Sequence, residues 1–194
     1  MRTRDPKKKE SIINETIKLV NELGFTGISI SKIVDEAGVS PATIYIYYED
    51  KQDLLTKIYV DIREKMGKAA LSNLKKQMSI EERFKTIWRD FFKYAVKHPQ
   101  FISYREQFEQ TTMMEGINEN EFELFSYITD LFQEGIKKKK IKDLELPFLV
   151  SFAFIPIINL LKFHFDAEFT MTESKIGIAS DMAWDIIKYS ESEK

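Results

Sequence analysis

The segment Ile30 to Tyr48 constrains the fold more than any other stretch of the chain. Its apolar spacing predicts a short helix from about Ile30 to Ala37, followed by Gly38, Val39 and a restart at Ser40-Pro41. Ser29 can accept a first-turn N–H as the N-cap. Gly38 can take the left-handed conformation that ends a helix, and a proline at the first helical position gives up no needed donor. The second helix then runs from Ala42 to about Tyr48. Val39 and Ile44 are placed to plug the angle between the two helices, and Ala37 keeps the crossing close. Two short helices on a glycine-containing turn make a helix-turn-helix. An ordinary helical hairpin with a tyrosine-rich core face shares this pattern, so the surrounding chain has to decide.

The surroundings are helical. Seven glycines and five prolines in 194 residues leave little turn chemistry for an all-β fold. Ile12, Ile13, Ile17, Val20 and Leu23 form one stripe on a helix from Lys9 to Leu23, with Gly24 at its end. Asp50, three residues before Asp53, opens a long helix reaching about Gln77. Further helices are expected over about 80–97, 101–114, 119–139, 145–165 and 172–189. The fold class is therefore all-α.

The run Leu146 to Leu161 is apolar on all sides but is interrupted by Pro147, Ser151, Pro156 and Asn159. At 16 residues it falls short of the ~20 that a membrane span needs. Pro156 should kink it. A helix of this kind is buried all round, most simply between its own core and a second subunit. Gly177, Ser180 and Ala183 add a ridge of small residues beside Ile176, Met182, Trp184 and Ile187. Residues from about 145 to 190 are thus expected to pair two copies into a homodimer through a four-helix bundle. Lys137 to Lys140 reads as a solvated helix end.

Several classes of function are excluded. Cysteine is absent, which removes disulfides, zinc-finger sites, iron–sulfur clusters and thiol nucleophiles together. His98 and His164 are far apart, and neither has a Glu three residues before it, so no metal or cofactor is expected. No Gly-x-Gly turn or Gly-x-Ser-x-Gly elbow is present, and Glu119, Glu121 and Glu123 are spaced for a solvated surface, which argues against an enzyme. The charged start and the lack of cysteine fit a cytoplasmic protein with no membrane partner.

Net charge is -2, although nucleic-acid binders are usually basic. The average hides a division. Residues 1–9 carry +4 through Arg2, Arg4, Lys7, Lys8 and Lys9 against Asp5, whereas residues 10–51 carry -4. Positive charge is thus confined to an expected flexible N-terminal tail and to Lys51. Each phosphate contact made there would steepen the salt dependence of DNA binding by roughly 0.9 in log–log slope.

Residues 9 to 55 resemble the N-terminal domain of the TetR family of transcriptional regulators. The resemblance rests on Glu22-Leu23-Gly24-Phe25, Ser29 to Ile33, Ala37-Gly38-Val39-Ser40, Thr43 to Tyr48, and Lys51 ahead of Leu54-Leu55. It implies a helix-turn-helix domain over residues 1–50 and a helical regulatory domain over 51–194. It further implies that Ser40, Pro41, Ala42, Thr43, Tyr45 and Tyr47 face bases and phosphates of a double-stranded operator. Ser29 and Lys51 would clamp phosphates on either side. Two departures stand out: Val34 replaces the usual Ala, and Pro41-Ala42 replaces a pair containing Lys or Gly.

In such regulators the helical bundle binds a small-molecule effector. The candidate lining is Trp88, Phe92, Tyr104, Phe108, Met114, Phe125, Phe152 and Phe163, with Gln107, Asn159 and His164 as polar groups. The reading is a ligand-responsive repressor that binds a palindromic operator as a dimer. Two alternatives stay open: a DNA-free helical carrier or adaptor for an apolar ligand, and an activator controlled by a protein partner.

Overall fold

A computed structural model describes residues 5–167 and 169–190. Among the described residues it contains ten α-helices, two 3-10 turns and no strand. The helices are α1 (Pro6–Gly27), α2 (Ile30–Ala37), α3 (Pro41–Ile44), α4 (Lys51–Leu71), α5 (Ile80–Lys97), α6 (Pro99–Phe108), α7 (Glu123–Lys137), α8 (Leu146–Ala153), α9 (Pro156–Phe165) and α10 (Glu173–Ile187). The chain forms two compact units, neither of them a consecutive stretch. One combines Met1–Arg63 with His98–Ile117, and the other combines Glu64–Lys97 with Asn118–Lys194.

In the first unit, α1 begins earlier than its apolar stripe suggests. Asp5 Oδ1 accepts the Lys7 N–H at 3.0 Å and Pro6 takes the first helical position, so Lys7 to Lys9 form the opening turn and not a flexible tail. Arg2 and Arg4 lie outside the described residues. Gly24 takes a positive φ of 70°, as expected of a terminator, yet a further turn continues to Gly27 before extended Ile28. The second segment joins this unit because α6 packs on α1. Phe25 meets Tyr104 and Phe108 edge-on, with centroids 5.2 and 5.7 Å away, and Tyr59 stacks on Phe108 at 4.2 Å. The Tyr104 hydroxyl donates to the Leu55 carbonyl at 2.9 Å, and burial pushes its pKa well above the phenol range.

The helix ends that differ from expectation have local causes. Ser72 Oγ donates to the Ala69 carbonyl at 2.8 Å, and α4 stops at Leu71, not near Gln77. The expected helix over 101–114 ends at Phe108, where Thr111 Oγ1 takes the Phe108 carbonyl at 2.7 Å. Two 3-10 turns, Thr112–Gly116 and Glu119–Glu121, then fill what the apolar spacing suggests is helix.

In the second unit, α5 opens on a capping box in which Glu82 N donates to Ser79 Oγ and Ser79 N to Glu82 Oε2. Its buried face carries Phe84, which meets Phe132, Phe154 and Trp184 at centroid distances of 6.3, 5.4 and 5.5 Å. Further along, Trp88 stacks parallel to Phe92 and donates its indole N–H to the Ala153 carbonyl at 2.9 Å. α10 lies against α5 and α8.

That contact buries Ile176, Ser180, Ala183, Trp184 and Ile187 inside the unit, whereas Gly177, the first residue of the small-residue ridge, is half-exposed and a Cβ there would meet nothing within 4 Å. Ile178, Met182 and Ile186, spaced four apart, are left exposed. The apolar run extends to Phe165 and breaks ahead of Pro156 into α8 and α9. By length and composition it could cross a membrane. Within a single chain 22% of it is buried, and the face expected to meet a second subunit is open. Phe148, Phe152, Ile155 and Phe163 all face outward.

Candidate nucleic-acid interface

The joint between α2 and α3 follows directly from its residues. Ser29 Oγ accepts the Lys32 N–H at 3.3 Å and caps α2. Gly38 closes it at φ 63° and ψ 35°, with its N–H on the Asp35 carbonyl, while Val39 N donates to the Val34 carbonyl at 3.0 Å. A Cβ at Gly38 would meet nothing within 4 Å, so the left-handed backbone and not crowding demands glycine. Ile33 and Ile44 are fully buried and Val34 nearly so, whereas Val39 is only half-buried. Ile44 therefore supplies more of the expected plug than Val39.

α3 is a single turn. Tyr47 N and Ile46 N donate three residues back, to Ile44 and Thr43, and this tightens the backbone where the spacing predicts a helix to Tyr48. Ser40, Pro41, Ala42 and Tyr45 are exposed on it, Tyr45 most of all at 57%. Thr43 is not exposed as expected: it turns inward beside Ile44, and its hydroxyl pairs with Ser40 Oγ at 3.0 Å. Ser40 accordingly caps no backbone N–H.

Two expected phosphate contacts have protein partners. Lys51 Nζ donates to the Ile28 carbonyl at 2.8 Å and the Phe25 carbonyl at 3.3 Å, so it ties the end of α1 to the start of α4. Tyr47 Oη accepts the Asp5 N–H at 2.7 Å and donates to the Asp5 carbonyl at 3.0 Å. Its neighbour Tyr48 is buried, which together with Asp61 and Asp53 pushes its pKa up to about 12. Lys7, Lys8 and Lys9 are exposed, and no described residue pairs with their ammonium groups. Sequence reasoning misses the parts played by Asp5 and by Ser11, which donates to the Ala37 carbonyl at 3.1 Å. No local pattern marks a partner 26 residues away.

The candidate effector-lining residues divide between the units. Tyr104, Gln107 and Phe108 belong to the first. There Gln107 Nε2 donates to Ser103 Oγ, and Phe108 is closed in by Phe25 and Tyr59. Trp88 and Phe92 fill the core of the second, and Phe125 is half-buried on α7. Phe152, Asn159 and Phe163 point outward because they lie on the solvent stripe of α8 and α9. His164 Nδ1 accepts the Met171 N–H. A hollow of about 340 Å³ in this unit is bounded by Met78, Arg83, Glu134, Lys138, Lys140 and Trp184, none of which belongs to the expected lining.

Comparison with known proteins gives matches over both the N-terminal and the C-terminal parts of the chain. A family model described as bacterial regulatory proteins of the tetR family matches residues 12–58, and one described as a tetracyclin repressor-like C-terminal domain matches 79–188. The fatty acid metabolism regulator protein of Bacillus subtilis is 27% identical over 149 residues, which covers 74% of this chain and 75% of that one. A TetR family transcription regulator from Marinobacter aquaeolei is 29% identical with a TM-score of 0.87, covering 98% of this chain and 100% of that one. FadR of Bacillus subtilis, solved in complex with stearoyl-CoA, shares the fold at 20% identity and a TM-score of 0.71, covering 91% and 96%.

Proposed function

The chain belongs to the TetR family of DNA-binding transcriptional regulators, and from that premise we propose that it is a cytoplasmic repressor which grips a palindromic operator as a homodimer. The observation that carries this reading is the exposed turn Ser40-Pro41-Ala42 with Tyr45, held on a buried Ile33–Ile44 joint. Short side chains there let the backbone approach the major-groove edges, where the proline ring and the alanine methyl can meet thymine methyls. Tyr45 Oη is free to donate to a phosphate or a base acceptor. Residues 1–50 are the DNA-reading part and 51–194 the regulatory part.

The homodimer is supported by the two outward apolar stripes, Phe148-Phe152-Ile155 and Ile178-Met182-Ile186. Exposed apolar surface of that extent marks an interaction site. The break at Pro156 and the polar Ser151, Asn159 and Lys162 suit a protein partner better than lipid tails.

The effector is a largely apolar molecule, taken up by loosening the ring-lined interior around Trp88 and Phe92. A relative that regulates fatty acid metabolism, and a fold neighbour holding stearoyl-CoA, support a long-chain acyl thioester as the first ligand to test. Such a ligand acts only through unequal affinity for the DNA-binding and released conformations.

Selection of bound duplexes from a random pool tests the proposal. The expected consensus is a palindrome whose half-sites are centred about 10 base pairs apart or a multiple of that. A pool with no enriched sequence would overturn it. Release of the enriched duplex by stearoyl-CoA, and not by free coenzyme A, tests the effector class.

A further inference from the structure

Tyr47 sits just beyond the recognition turn, where a phenol would ordinarily be read as a phosphate donor. Its hydroxyl has one proton and can accept further bonds. In the structure that proton goes to the Asp5 carbonyl at 3.0 Å, and the oxygen accepts the Asp5 N–H at 2.7 Å. A phosphate oxygen only accepts hydrogen bonds, so it would have to displace the Asp5 carbonyl to gain a bond from Tyr47.

Asp5 in turn controls the start of α1. Its side chain accepts the Lys7 N–H at 3.0 Å, and its carbonyl accepts the Lys9 N–H at 3.1 Å as the first helical bond. The tyrosine hydroxyl therefore bridges both main-chain groups of the residue on which the first turn is built. That turn carries Lys7, Lys8 and Lys9, exposed and without described partners. Helix ends fray when their orphan donors lose their acceptors. A frayed end would turn three fixed charges into three diffuse ones.

We infer that Tyr47 is a positioning residue: its hydroxyl straps Asp5 so that Lys7, Lys8 and Lys9 stand beside the recognition turn as a fixed cationic clamp. Its contribution to DNA binding passes through those lysines and not through direct contact. This rests on the DNA-binding reading above, and it is the strap that a test must isolate.

Tyr47→Phe keeps the ring and deletes both hydrogen bonds. In the free protein, amide hydrogen exchange at Lys7 and Lys9 should quicken by roughly tenfold or more, since both hydrogen bonds that hold Asp5 are lost together. Unchanged exchange there would overturn the strap whatever happens with DNA. On the selected operator, Tyr47→Phe should weaken binding and flatten the log–log salt slope by about 0.9 for each lysine–phosphate pair that no longer forms.

The deciding comparison is Tyr47→Phe made in a background of Lys7→Gln, Lys8→Gln and Lys9→Gln together. There the tyrosine change should have almost no further effect on affinity. An equal loss in both backgrounds would mean that Tyr47 touches DNA itself or only supports the fold, and would overturn the inference. A wild-type protein without salt-sensitive DNA binding would overturn the underlying reading instead, while the exchange comparison still decides the strap.

Discussion

Replacing Phe152 with Ala should split the proposed dimer while leaving each subunit folded. Phe152 is 56% exposed on α8, so about half of its ring has no partner within its own chain. An aromatic side chain covers roughly 200 Å², so about 110 Å² of Phe152 is open to a second subunit. Seven outward residues on α8, α9 and α10 and at the α8–α9 break (Phe148, Phe152, Ile155, Phe163, Ile178, Met182 and Ile186) offer roughly 100 Å² each. Their sum is close to the ~800 Å² per partner of a standard interface.

Truncation to Ala removes about 80 Å² of the area Phe152 contributes, worth about 2 kcal/mol at 25 cal/mol/Å². Two-fold symmetry repeats the loss, so dimerisation should weaken by about 4 kcal/mol, near a thousandfold in Kd. Sedimentation equilibrium over about three decades of concentration reads this directly, because a dimer's apparent stability depends on concentration. Far-ultraviolet circular dichroism on the same samples should show unchanged helicity. A variant that remains dimeric at the wild-type midpoint would refute the assignment of this face, and so would a monomeric wild type.

Other consequences follow from single contacts. Gly38→Ala meets no atom but must hold φ 63°, so it should cost about 1–2 kcal/mol, read as a shift in the urea midpoint at constant m. Gly135→Ala is different: its methyl would collide with Ile141, so overpacking of about 1–3 kcal/mol is expected together with a loosened Ile141–Lys188 bridge. Because Tyr48 is held protonated up to about pH 12 while its unfolded counterpart ionises near 10, its contribution to stability should be constant below pH 10. It should fall between pH 10 and 12, with a slope of at most about 1.4 kcal/mol per pH unit from this residue. Tyr48→Phe should reduce that slope in alkaline unfolding curves.

Local chemistry makes much of this fold readable from the chain. The bounds of α2 and α5, the Ser29 cap, the left-handed Gly38 and the break at Pro156 all depend on residues within a turn of each other, and each is legible for that reason. What escapes depends on partners distant in sequence. Lys51 reads as a free cation but is drawn to carbonyls 23 and 26 residues away. Thr43 reads as exposed because the spacing predicts a full helix, whereas a one-turn α3 rotates it inward. Lys7 to Lys9 read as a tail because the apolar stripe begins only at Ile12, while capping by Asp5 and the contact with Tyr47 start the helix at Pro6.

The effector lining is the least legible part. A phenylalanine stripe has the same spacing whether it fills a core, as around Trp88, or faces outward, as at Phe152. The second segment of the first unit is hidden for a related reason: nothing local to Tyr104 or Phe108 announces that they will pack on Phe25.

The central claim is that the exposed turn of α3 reads operator sequence, and Tyr45→Ala tests it most directly. Tyr45 is 57% exposed, so its removal should leave the fold and the dimer intact. Fluorescence anisotropy at fixed salt would compare the selected operator with a scrambled duplex. The expected result is that the variant loses most of the wild-type preference for the operator while its weaker, salt-dependent binding to the scrambled duplex is unchanged. A variant that still discriminates the two duplexes as well as wild type would contradict the account.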